Sequence, residues 1–230
     1  MKKYKRIITV GAHPLDAELM GGPMSIVMNR FGGKSTFVHV TTGRLEKKDA
    51  TQEELDAYQE SLIKQINEVA AGMSCEAVRL NYISSNMPSE QDFIEEMMEY
   101  LKQEKPDLVI THHIGTMHDR HYYTHKTVTA AVKRLRAQGI EMDLLYGENL
   151  EDLIGFTPTK YLEMSDKDVD TWFTSLKHYD LFKGEINPVP YKAYYTTMGK
   201  VRGLESGCPN FVKAYMHAGL IDYPINIEGE

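Results

Sequence analysis

The sequence predicts an α/β fold: a mostly parallel sheet with helices on both faces. Two observations predict it. Short runs rich in β-branched residues alternate with longer segments of helical period. The residues that follow those runs are polar and ionisable ("GAHPLD", "TTGR", "THHIGTMHDRH", "YGEN"), as expected at the strand ends where such sheets bind ligands. At 230 residues the chain suits one large domain with a continuous core, read here as 1–230.

The elements follow in order. "RIITVGA" (6–12) is the first strand and "LMGGPMSIVMNRFGG" (19–33) a glycine-punctuated helix. "STFVHVTT" (35–42) is the second strand. In 51–73, Leu55, Tyr58, Leu62, Ile66 and Val69 fall 3, 4, 4 and 3 apart, one stripe of a helix. "EAVRLNY" (76–82) is the third strand. The next helix starts behind Ser89, a residue type that caps N-termini, and stops before Pro106. "DLVITHH" (107–113) is a fourth strand, 122–139 a helix ending near Gly139, and "MDLLYGEN" (142–149) a fifth strand. Beyond residue 155 the pattern weakens. There "SDKDVDTWFTSLKHYDLF" (165–182) reads as an amphipathic helix capped by Ser165, and the remaining tail as wrapping the same domain.

Composition excludes several functions. A formal net charge of −7 argues against an electrostatic partner for nucleic acid or an anionic membrane. No apolar run approaches the roughly 20 residues of a spanning helix. "MKKYKRIITVGAHP" is basic, but its apolar run ends after Val10, too short for a signal peptide, so a cytoplasmic protein is expected. Cys75 and Cys208 make neither a disulfide framework nor a metal pair. Glycine fingerprints for dinucleotides and mononucleotides are absent, as is a G-x-S-x-G elbow. Assembly into a homo-oligomer is left open.

Histidines carry the chemistry. His112, His113, His118, His121 and His125 crowd one strand end, and His13 with Asp16 stands at another. If a helix starts near His118, then His118, His121 and His125 share a face and converge on one target. Imidazoles with one carboxylate suit a divalent metal with an open position for water, and such water ionises at a pH of roughly 7. His39, inside a strand, and His178, on an outer helix, read as structural; His217 is uninformative.

These blocks resemble the LmbE/PIG-L family of zinc-dependent N-acetylglucosaminyl deacetylases. "AHPLDAELMGG" is similar to the family's A-H-P-D-D-E-x-x-x-G-G opening, and "MHDRH" to its H-P-D-H block. "YGENLEDLIGFTPTKYLEMSDKD" and "RGLESGCPNFVKAYM" resemble, more loosely, its later acidic strand end and its R-G-x-x-x-G…Y-A-E-A-F tail. The resemblance implies a Rossmann-like α/β domain. It implies metal ligands at His13, Asp16 and His121, with His118 assisting the tetrahedral intermediate or the leaving amine. It implies Zn²⁺ as cofactor, although the ligand set accepts Fe²⁺ or Mn²⁺ as well. The implied partner is a small acetamido-sugar substrate.

Three positions depart from the family pattern. Leu15 stands where the family has its general-base aspartate, Arg120 where H-P-D-H has its orienting aspartate, and Lys213 where Y-A-E-A-F has glutamate. Two readings follow. In one, hydrolysis persists, with His118, His125, Asp119 or Glu148 taking the proton. Glu148 then also faces the substrate, and Arg120 and Arg44 bind an anionic group on it. Tyr122 and Tyr123 are candidates for stacking on a sugar ring. In the other reading, the chain binds metal or sugar without turning it over.

Overall fold

The computed structural model describes residues 4–43, 45 and 47–219. Strands β1 (Arg6–Gly11), β2 (Lys34–Thr41), β3 (Glu76–Tyr82), β4 (Leu108–Thr111) and β5 (Asp143–Gly147) alternate with helices α1 (Asp16–Asn29), α2 (Gln52–Gly72), α3 (Glu90–Glu104) and α4 (Asp119–Ala137). The five strands are parallel neighbours in the order β3-β2-β1-β4-β5. The chain winds outward from β1 to β3, then returns to place β4 on the other side of β1. The crevice between β1 and β4 is therefore a topological switch point.

Both faces of the sheet are covered, which is why its central strands are apolar without interruption. Ile7, Leu108, Ile110 and Leu145 point into a core shared with α1, α2 and helices from the last third of the chain. Ile8, Val10, Val109 and Leu144, their alternates along the same strands, point into a second core under α3 and α4. Capping is local and follows the sequence. Thr51 and Glu54 form a reciprocal capping box at α2, and Ser89 accepts the Asp92 amide at α3.

The segment after residue 155 corrects the expectation of a wrapping tail. It supplies β6 (Lys160–Met164), α5 (Asp166–Leu176), a short α6 (Asp180–Lys183), α7 (Tyr191–Ser206) and β7 (Phe211–His217). β7 pairs antiparallel with β5, and β6 antiparallel with β7, extending the sheet to seven strands. β6 ("KYLEM") is a mostly exposed edge strand, and β7 buries Lys213 at its centre, so neither carries an apolar signature. The single helix expected over 165–182 breaks after Leu176 and resumes at Asp180.

α1 is buried on every side from Asp16 to Met28 and lies directly on β1. At Gly21 a Cβ would stand 2.0 Å from the Thr9 Oγ1 and 2.7 Å from its Cβ, so glycine sets this spacing. Gly21→Ala is expected to lower stability by about 1–3 kcal/mol through overpacking. Urea denaturation followed by far-UV circular dichroism measures the loss.

Candidate active site

A cavity of about 500 Å³ opens at the carboxyl edge of the sheet, over the β1–β4 crevice. His13, Asp16, His118 and His121 line it. A second concavity, of about 590 Å³ around Phe182, Tyr191 and Thr196, holds no histidine and no carboxylate.

The β1–α1 turn builds the first half of the site. A Cβ at Gly11 would come within 2.5 Å of the Ala17 nitrogen, so the chain doubles back tightly. The doubling brings the His13 amide onto Asp16 Oδ2 at 2.8 Å and the His13 ring to 3.3 Å from the same oxygen. Leu15, between them, has φ 89°, a region that leucine rarely adopts and that asparagine or aspartate tolerates better. The strained turn is braced from below. The Leu15 amide reaches the Tyr179 oxygen, and the Tyr179 hydroxyl donates to Glu18 Oε1 at 2.8 Å. That carboxylate also meets His39 Nε2 at 2.9 Å, with both residues at 0% exposure.

Asp152 builds the second half. One of its oxygens takes His112 Nδ1 at 2.6 Å and the other His121 Nδ1 at 2.8 Å. His112 Nε2 accepts the Ala12 amide at 2.9 Å, so its ring is fully committed and ties β4 to β1. His121 is different. Its Nε2 lies 3.3 Å from Asp16 Oδ2, with the ring stacked between those of His112 (4.1 Å) and His118 (4.5 Å). Asn149 donates to the other Asp16 oxygen at 3.3 Å and accepts from the Tyr195 hydroxyl at 3.3 Å.

Electrostatics set opposite charges side by side. Burial would raise the Asp16 carboxyl, but His121 and His112 hold it well below the usual carboxylate range. Burial would likewise depress His121, yet Asp16 and Asp152 on its two nitrogens push it up to about 11. Asp16 and His121 thus each favour the charged form of the other. Two of the donor pairs here have spacings that suit a divalent cation, His13 with Asp16 and Asp16 with His121. Asp16 Oδ2 stands 3.3 Å from His13 Nδ1 and 3.3 Å from His121 Nε2, close to the about 3.3 Å edge of a tetrahedron with bonds of about 2.0 Å. His13, His118 and His121 form one compact donor group, and Asp16, His112 and His121 a second. The Ala12 amide on His112 Nε2 leaves Asp16 and His121 as the free donors of the second.

His118 caps α4, its Nδ1 accepting the Arg120 amide at 3.3 Å. Burial first, then the neighbouring His121 and His13, push it down to about 4, so the ring is neutral with its proton on Nε2. Arg120 lines the cavity. Among the described residues it has no ion pair, and its guanidinium lies 5.7 Å over the Tyr123 ring.

The structure does not bring every expected residue together. His125 leaves the cluster: its Nδ1 donates to the His112 carbonyl at 2.9 Å and its ring packs on Tyr146 at 4.9 Å. Glu148, expected to face substrate, is 1% exposed and held by Arg202 at 2.6 Å. Its carbonyl takes Lys213 Nζ at 2.7 Å. Asp119 is exposed and outside the cavity lining. Tyr123 packs on Phe93 at 5.5 Å, and neither it nor Tyr122 lines the cavity. Arg44 lies outside the described residues. His39 has its buried partner in Glu18, and His178 stands 3.2 Å from Glu68 on the surface.

Residues overlooked in the sequence are Asp152, Asn149 and Glu151, all in "ENLED" beyond β5. Glu151 lines the cavity with Oε2 3.7 Å from His121 Nε2, and burial raises its carboxyl above the usual range. The signal was a run of acids at a strand end.

The model of the PIG-L family, described as GlcNAc-PI de-N-acetylase, matches residues 8–132. The chain belongs to the PIG-L family. Solved structures share the fold over nearly the whole chain. GalB, the 4-carboxy-2-hydroxymuconate hydratase of Pseudomonas putida, has TM-score 0.76 at 13% identity, covering 98% of this chain and 99% of that one. The conserved protein TT1542 from Thermus thermophilus has TM-score 0.75 at 18% identity, covering 95% and 96%. The N,N'-diacetylchitobiose deacetylase from Pyrococcus horikoshii has TM-score 0.71 at 14% identity, covering 93% and 84%. Compared sequence against sequence with curated proteins, the chain has no significant match. Among the described residues no helix is long and apolar enough to cross a membrane.

Two outcomes test this geometry. Asp152→Ala frees both rings that Asp152 holds and is expected to weaken divalent-metal affinity by about 10–100-fold, read by chelator competition on folded protein. His125 is pushed down to about 4, first by burial, so from pH 6.5 to about 4 the unfolded chain takes up a proton that the folded one refuses. Stability is therefore whole above that window and lost as pH falls through it, by roughly 2–3 kcal/mol for this ring. Urea denaturation at about pH 7 and about pH 4.5 should show a smaller drop for His125→Asn than for the unaltered protein.

Proposed function

We propose that this PIG-L family member is a divalent-metal-dependent hydrolase of a carbon–nitrogen amide bond. Its substrate is an N-acetylglucosamine-type sugar conjugate, and residues 1–230 act as one domain. The observation that carries the reading is Asp16 Oδ2 lying 3.3 Å from both His13 Nδ1 and His121 Nε2, with Asp152 holding the other His121 nitrogen. A bound Zn²⁺, Fe²⁺ or Mn²⁺ supplies Lewis acidity and acidifies water.

The chain's own residues do the rest. The neutral His118 presents Nε2–H to the cavity, where it donates a hydrogen bond to the carbonyl oxygen as charge develops, while the departing amine takes the proton that Glu151 has drawn from the attacking water. Leucine at position 15 can accept no proton. Glu151 is the cavity carboxylate beside His121 once Asp16 is committed, and its Oε2 takes the proton of the attacking water. Arg120, unpaired among the described residues, is placed to hold an anionic group of the substrate.

A second reading, metal or sugar binding without turnover, is favoured by Leu15, an apolar side chain 2% exposed at the base position, and by Arg120 at the position of the H-P-D-H aspartate. One series of variants separates the two. Purified protein should carry about one divalent metal per chain, lost in His13→Ala and His121→Ala. Acetate release from N-acetylglucosamine derivatives should fall by about 10²–10⁴ in Glu151→Gln, with metal content unchanged. Release seen only in Leu15→Asp supports the silent reading and ends the catalytic one.

A further inference from the structure

The cavity is lined by two unlike sets of side chains. His13, Asp16, His118, His121, Arg120 and Glu151 form one. Leu15, Leu19, Leu62, Leu181 and Ile186 form the other, with the rings of Tyr58 and Tyr191. They come from the β1–α1 turn, α1, α2, α6, the α6–α7 connection and the start of α7. So the apolar set is built by separate parts of the chain and is no accident of one helix face.

Three of the polar side chains in the lining, Gln65, Asp180 and Asn187, already hold partners. The Gln65 amide donates to Asp180 Oδ2 (2.7 Å) and to Ser61 Oγ (3.1 Å), and its oxygen accepts the Asp180 amide (3.1 Å). Asp180 Oδ1 holds Lys183 at 2.7 Å. Asn187 accepts the Val189 amide at 3.1 Å and donates to the Tyr191 hydroxyl at 3.5 Å. A sugar hydroxyl set against Leu62, Leu181 and Ile186 would give up water without gaining a partner from those side chains. An apolar group would lose nothing there and would cover Ile186, which is 50% exposed. Leucine at position 15 fits the same pattern, because a carboxylate there would stand charged against this surface.

We infer that the substrate carries an apolar substituent, aryl or alkyl, next to its reacting acetamide, seated on a subsite formed by Leu62, Leu181, Ile186 and Tyr191. The inference deepens the proposed function and rests on it only for the identity of the reacting end. The apolar arm lies along α2 and α6, while the polar end meets the histidines across the cavity.

Calorimetric titration of the metal-loaded full chain with three probes tests it: phenyl N-acetyl-β-glucosaminide, methyl N-acetyl-β-glucosaminide and phenyl β-glucoside. The phenyl acetamido probe is expected to bind about tenfold or more tightly than the methyl one. In the double variant Leu181→Gln, Ile186→Ser that preference should shrink to within about twofold, with metal content unchanged and the protein still folded by circular dichroism at the titration temperature. Equal affinity for phenyl and methyl probes, or a preference that survives the double variant, overturns the subsite. Binding of phenyl β-glucoside without any binding of the methyl probe upholds the subsite and removes the acetamido-sugar reading. Failure of all three probes overturns the subsite, and metal content then reports separately on the histidine–aspartate centre.

Discussion

One buried carboxylate, Asp152, organises the carboxyl edge of the sheet. It grips an imidazole with each oxygen, His112 at 2.6 Å and His121 at 2.8 Å, and thereby decides what each ring is free to do. Burial opposes its charge, but the two histidines hold it ionised, below the usual carboxylate range. His112, with its second nitrogen under the Ala12 amide, becomes a strut between β4 and β1. His121 keeps its second nitrogen for Asp16 and the cavity. Identical side chains acquire different chemistry because one has a backbone donor beyond it and the other has a cavity.

The opposing half of the site is a strained turn that the fold holds in place. A leucine at φ 89° costs conformational energy, of order 1–3 kcal/mol, that a surface loop would relax. Here β1 is locked between β2 and β4, α1 is buried all round, and Tyr179 with Glu18 closes the space beneath. The turn therefore keeps the shape that sets His13 beside Asp16 even though position 15 carries an apolar side chain. The family pattern joins metal ligands and a carboxylate base in one motif; here the turn keeps the His13–Asp16 contact with no carboxylate at position 15. Glu151, a carboxylate lining the cavity, lies 3.7 Å from the same His121 nitrogen that faces Asp16.

The parallel half of the fold was legible because each of its elements carries its own pattern. Strands buried on both faces read as unbroken β-branched runs, and α2 and α3 read by period and cap. The last third was not legible. β6 is an exposed edge, and β7 spans a buried lysine whose ammonium rests on the Glu148 carbonyl and 4.6 Å over the Tyr195 ring. No local pattern announces a strand whose central polar residue is satisfied by distant partners. Within the site, the same limit separated Asp152 from Glu148. They are acids close together beyond one strand, and only their neighbours in space, two histidines against Arg202, tell them apart.

The sequence by itself determined the parallel sheet, the crowding of histidines at its carboxyl edge, and the pairing of His13 with Asp16 across a single turn. These are short-range facts, set by strand and helix periodicity and by spacing along the chain. The tertiary structure decided which histidine is free to coordinate and which braces, and that His125 turns away while His121 turns in. It also decided that Glu148 is structural and that part of the cavity lining is apolar. Those outcomes depend on partners far off in sequence, such as Asp152 for His121, 31 residues away, and Tyr179 for Glu18, 161 residues away. A side chain's chemistry follows from what its last free atom faces, and only the packed fold determines that.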